Sequence, residues 1–73
     1  MSWNYRVMSL DDYESYEIHE VYYDEAGKPK MYTENPMKPF GESVRELRQD
    51  LMWMLSALDK PVLTPRDFPE NEE

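Results

Sequence analysis

The stretch from Ser43 to Leu58, SVRELRQDLMWMLSAL, constrains the fold more than any other part of the chain. Ser43 and Glu46 stand at the spacing of a capping box, in which the hydroxyl accepts from the amide of residue 46 and the carboxylate reaches back to the Ser43 amide. Val44, Leu47, Leu51, Met54 and Leu58 then recur at alternating intervals of three and four, the spacing of one buried helical stripe. At ~100° per residue, these five and Leu55 fall within an arc of roughly 100°. Asp59-Lys60-Pro61 closes the helix, because the residue before a proline avoids helical geometry and proline has no amide to donate. The stripe is the expected contribution of the helix to the core.

Trp53 does not fit that stripe. It falls about 180° from Val44, among Glu46, Gln49, Asp50, Ser56 and Ala57, while Met52 lies to one side near Arg45 and Arg48. Two readings are open. Either the C-terminal Pro65, Phe68 and Pro69 fold back across the helix and cover Trp53, or it is an exposed aromatic anchor for a partner.

A chain of 73 residues has room for one domain with one small core. The expected domain spans residues 1–65, followed by a flexible acidic tail over residues 66–73, whose sequence is RDFPENEE. With no cysteine, neither disulfides nor thiolate metal sites reinforce so small a core. Oligomerisation is the remaining common reinforcement, so a homodimer or a bound protein partner is expected. The opening MSWNYRVM does not read as a secretory leader, and no run nears the ~20 apolar residues of a membrane span. A cytoplasmic chain without membrane contact is the expectation.

Sixteen acidic against eight basic residues give a net charge of -8. That balance opposes binding to nucleic acid, which needs a basic footprint, and suits a basic protein partner or plain solubility.

Trp3, Tyr5 and Val7 alternate with Asn4, Arg6 and Met8, the two-residue period of a first strand. A second strand is expected over Tyr13 to Tyr23, with Tyr16, Ile18 and Tyr22 on one face and His19, Val21 and Tyr23 on the other. Asp24-Glu25-Ala26-Gly27 reads as a hairpin turn with glycine in the left-handed position. A third strand follows from about Lys28 to Thr33, with Met31 and Tyr32 on opposite faces, and Pro29 confines it to a sheet edge or a strand start. The proline-stiffened loop Glu34 to Gly41 leads to the helix, with Phe40 expected to staple its first turn. Pro61 to Pro65 reads as a short extended exit.

These elements make an α+β two-layer sandwich, a three-stranded antiparallel sheet packed on one helix in β-β-β-α order. One helix covers one sheet face, so the other is expected to be open; it carries His19, Val21, Tyr23 and Tyr32, or, if strand parity is shifted by one residue, those four are the buried set instead. Gly41-Glu42-Ser43 with Val44-Arg45-Glu46-Leu47, and the exit Lys60-Pro61-Val62-Leu63-Thr64-Pro65, resemble the capped helix start and proline-flanked exit of HicB-like antitoxin domains. The resemblance implies that sheet-on-helix fold, a bacterial or phage-like origin and binding to a protein partner. The stretch Asn35-Pro36-Met37-Lys38-Pro39-Phe40 departs from that family's pattern before the helix, and a counterpart of its DNA-binding extension is not expected.

No constellation points to catalysis. His19 stands between Glu17 and Glu20 and shares a strand face with Glu17, so the two can touch, and a solvated histidine beside acids is expected. With one histidine and no cysteine, a zinc site lacks ligands, and no nucleophile or oxyanion donors accompany His19. The acidic pairs lack the spacing and terminal acid of a calcium loop, and two glycines make no phosphate cradle. A tyrosine-bearing sheet is also a form of base-stacking platform, but such platforms sit in basic surroundings. The expected function is therefore a small acidic protein-binding domain, not an enzyme, with no cofactor or metal. The partner-binding candidates are Trp53 and Met52 on the helix, or His19, Val21, Tyr23 and Tyr32 on the sheet. Two alternatives are an acidic, antitoxin-like inhibitor that blocks a basic nucleic-acid-binding partner, and a purely structural homodimer.

Overall fold

The structure, a computed structural model, describes residues 2–69. Strands β1 (Ser2–Met8), β2 (Glu17–Tyr23) and β3 (Pro29–Tyr32) form an antiparallel sheet in the order β1-β2-β3, followed by helix α1 (Val44–Ser56). The β-β-β-α sandwich expected from the sequence is the fold observed. Along β1 and β2 the register runs from Ser2 opposite Tyr23 to Met8 opposite Glu17. β3 pairs through Val21–Tyr32 and Tyr22–Met31, with a bulge between Tyr22 and Tyr23.

Two turns were legible residue by residue. At the hairpin, the Asp24 carboxylate accepts from the amides of Ala26 and Lys28, and Gly27 sits at φ +82°. At the helix start, the Ser43 hydroxyl accepts from the Glu46 amide at 3.1 Å. The Glu46 carboxylate takes the amide of Glu42 rather than that of Ser43, so the reciprocal bond is shifted by one residue. The helix runs on into a 3-10 turn, Ala57–Asp59, and stops before Lys60-Pro61.

β2 begins at Glu17, not Tyr13. Asp12 and Tyr13 lie at φ +61° and +70°, a left-handed geometry that ends an extended strand. Asp11 organises this turn: its carboxylate accepts from the Ser9 and Ser15 hydroxyls and the Ser15 amide, while the Ser9 hydroxyl accepts from the Tyr13 amide. Local side-chain bonds of this kind compete with strand pairing and here prevail.

The C-terminal segment departs most from expectation. Leu63 bridges to Met8 in parallel, its amide bonding the Val7 carbonyl and its carbonyl accepting from Ser9, so it adds a single rung outside β1. Thr64 then caps a 3-10 turn, Pro65–Asp67, with a full capping box, and Phe68 lands on Tyr32 with ring centroids 4.7 Å apart. Within the expected tail, Arg66 and Asp67 thus lie in a capped turn and Phe68 packs on Tyr32. Residues 70–73 of that expected tail lie outside the described residues.

The sheet is therefore covered on both faces. Tyr5, Val7, Met54 and Ala57, with Ile18, Met37 and Val62 around them, fill the helix side. Met8, Val21 and Leu63, with Tyr23, Tyr32 and Phe68, fill the other.

Gly41 passes so close to the helix start that an added Cβ would stand 2.3 Å from the Leu47 amide nitrogen. Gly41→Ala is expected to cost about 1–3 kcal/mol in urea denaturation, because the obstacle is backbone. Asp11 has its pKa held low, chiefly by the Ser15 hydroxyl bond. A carboxyl that titrates lower in the folded chain contributes fully above an unfolded value of ~3.9 and loses that contribution as pH falls through the folded value. Protection of the Ser15 amide, measured against its intrinsic exchange rate at the same pH, is expected to fall on acidification through that window, and Asp11→Asn to abolish this pH dependence.

Candidate functional site

The helix sits on the sheet through an unexpected face. Asp50 and Met54 are buried in α1, Leu47 is half-buried, and Ala57 follows at 1% exposure. This contact face is turned about 70° from the centre of the apolar stripe. Val44 is 77% exposed, Leu55 67%, Leu58 62% and Leu51 48%. The expectation that Val44, Leu51 and Leu58 are core is thus corrected, and only Met54 and, in part, Leu47 serve that role.

Asp50 explains the rotation. Its carboxylate accepts from the Tyr5 hydroxyl at 2.6 Å and from the Phe40 amide at 2.9 Å. A buried carboxylate without donors is strongly unfavourable, and these two donors come from β1 and from the loop ahead of the helix. Burial first, then the bond to Asp50, hold the Tyr5 phenol well above its ordinary pKa. The small Ala57 lets the end of the helix approach β1 closely. Phe40, drawn in by its amide alone, leaves its ring 69% exposed instead of stapling the first helical turn.

Trp53 lies on the opposite flank of this contact, 55% exposed, and the tail does not cover it. With Trp3, Tyr5, Ser56 and Lys60 it lines a groove of about 400 Å³ between the start of β1 and the helix. Trp3 meets Tyr5 edge-on at 5.4 Å, so the wall on that side is braced. Met52 is also exposed, on the flank away from the groove.

The sheet candidates occupy a different environment. His19 and Val21 are fully buried, and Tyr23 and Tyr32 are half-buried. The open sheet face expected from the sequence is closed by Leu63 and Phe68, which removes His19 and Val21 from the accessible surface. His19 is not solvated: Nε2–H donates to the Glu17 carboxylate at 2.9 Å, while Nδ1 faces the Thr33 carbonyl and hydroxyl at 2.9 and 3.1 Å. The Glu17–His19 contact expected from strand parity is present, with His19 buried and Glu17 partly exposed. Tyr23 is equally committed, accepting from Arg6 Nη1 and donating to Asn4. Among the described residues there is no group of three or more His, Cys, Asp or Glu placed to hold a metal ion, and no helix is long and apolar enough to cross a membrane.

Compared with protein-family models, curated proteins and solved structures, the chain matches none of them.

The surface so assembled is the outer side of α1: four aliphatic side chains in a row, with Met52 on one flank and Trp53 beyond the core contact. Sequence reasoning assigned that row to the core because periodicity reveals that a stripe exists, not what covers it. A usable signal was present. Asp50, Met54 and Ala57 share a second face, and a helix pressed on a sheet favours a small residue and a hydrogen-bonding one at close approach. In urea denaturation at high dilution, Met54→Ala is expected to cost about 2–5 kcal/mol. Leu55→Ala is expected to stay within about 0.5 kcal/mol, as for an ordinary surface site.

Proposed function

We propose that this chain is a small cytoplasmic protein-binding domain that performs no chemistry of its own and presents the outer face of α1 to its partner. The observation that supports this reading is the row Val44, Leu51, Leu55 and Leu58, all exposed on one side of a well-capped helix. Single exposed leucines need no explanation, but a contiguous apolar patch is characteristic of an interaction site. Its helical spacing suits an apolar groove or another amphipathic helix. Met52 flanks this surface, while Trp53 lies on the far side of the helix and lines the separate groove with Trp3. The lone histidine is engaged on both ring nitrogens, which supports a structural and not a catalytic role for it. The resemblance to HicB-like antitoxin domains rests on element order and a few letters, and is carried no further than the fold.

Leu55→Glu tests the proposal. The variant is expected to keep the wild-type melting temperature within a few degrees at high dilution and to lose association in whatever form the wild type shows it. Association is read by sedimentation of the chain alone and by retention of source-cell proteins on immobilised chain. A wild type that is monomeric and retains nothing would overturn the reading. So would a Leu55→Glu chain that unfolds.

A further inference from the structure

Resting on the reading of the outer helix face as a binding surface, we infer that its partner is a second copy of this chain, docked helix against helix in antiparallel fashion about a two-fold axis at Leu51. The row is self-complementary about that residue. Val44 and Leu58 lie seven positions to either side of Leu51, so an antiparallel copy sets Val44 against Leu58 of the other chain and Leu51 against itself. Leu55 falls opposite Leu47, which is half-buried and offers its exposed edge.

Charge sets the orientation. Arg45 and Arg48 flank the row near its start, and Asp59 flanks the same side near its end. Among the described residues none of the three takes part in an ion pair within the chain. An antiparallel pair keeps like flanks together and reverses the ends, so Arg45 of each copy reaches Asp59 of the other. A parallel pair sets those flanks on opposite sides of the seam, so neither arginine reaches Asp59 of the other copy. The row and Met52 expose on the order of 500 Å² of apolar surface, at the upper end of what monomers leave open. The charged rim extends the contact toward the ~800 Å² per partner of a stable interface.

The chain holds no cysteine, so Val44→Cys and Leu58→Cys each supply one unique thiol. The two variants are mixed and treated with a short bis-maleimide, alongside sedimentation equilibrium of the wild type and of Leu51→Glu. The expected result is a wild-type dimer, a mixed Val44→Cys/Leu58→Cys product well in excess of either self-coupled product, and at least a roughly 10-fold loss of self-association in Leu51→Glu. Self-coupling of Val44→Cys without the mixed product would overturn the antiparallel arrangement. A monomeric wild type with no coupled product would overturn the second copy as partner. If that monomer nevertheless retains another protein, and Leu55→Glu abolishes the retention, the binding-surface reading stands while this inference fails. Unfolding of Leu51→Glu and Leu55→Glu alike would assign the row to the core and remove both.

Discussion

The arrangement of this domain turns on one buried carboxylate. Asp50 receives the Tyr5 hydroxyl and the Phe40 amide, tying the first strand, the pre-helix loop and the helix at a single point. A buried acid of this kind contributes little net energy when satisfied and costs much when not, so it acts chiefly by selecting geometry. Only one rotation of α1 brings Asp50 to both donors. That rotation presents Met54 and Ala57 to Tyr5 and Val7, and it turns the leucines outward. Gly41, pressed against the backbone of the first helical turn, admits the loop that carries the Phe40 amide to the same point.

The opposite face depends on a second polar fixture. Arg6 is buried on β1, with Nη1 donating to the Tyr23 hydroxyl and Nη2 to the Pro61 carbonyl, each at 2.9 Å. Its Nε has no acceptor among the described residues. The Pro61 contact holds the chain where it leaves the helix, so that Leu63 reaches the edge of β1 and Phe68 reaches Tyr32. Neutral partners suit this role, since a guanidinium is tolerated at low exposure when its fork is largely filled. The result is a sheet closed on the helix side by a short contact and on the other by an ordered exit segment.

What was legible in the sequence was local. The strand alternation, the Asp24–Gly27 turn and the Ser43 cap each draw on residues a few positions apart, whose geometry admits few alternatives. Strand parity was equally readable, which is why His19 and Glu17 meet as expected. Burial was not, because it depends on which distant segment arrives. Phe68 read as tail since proline and acid rarely build a core, yet a capping box at Thr64 and one aromatic contact suffice to place it. Tyr13 and Tyr16 read as strand because their bulk suits one, while the serines around Asp11 bent the chain away. Asp50 lies off the apolar stripe, and nothing in its neighbourhood announced that Tyr5, 45 residues earlier, would bind it.

The outer helix face follows from this division. With one sheet face served by Met54 and Ala57 and the other by Leu63 and Phe68, no part of the described chain remains to cover Val44, Leu51, Leu55 and Leu58. Water-exposed aliphatic rows favour association, and in a chain of net charge -8 general repulsion between copies opposes it. Arg45 and Arg48, on the flank of the row, reduce that opposition locally. The apolar row and the local basic charge therefore coincide on one element, whose outer side the described residues leave free. Placing Asp50 in the core is what frees it: the same bond that seats the helix on the sheet gives the helix a second face to present.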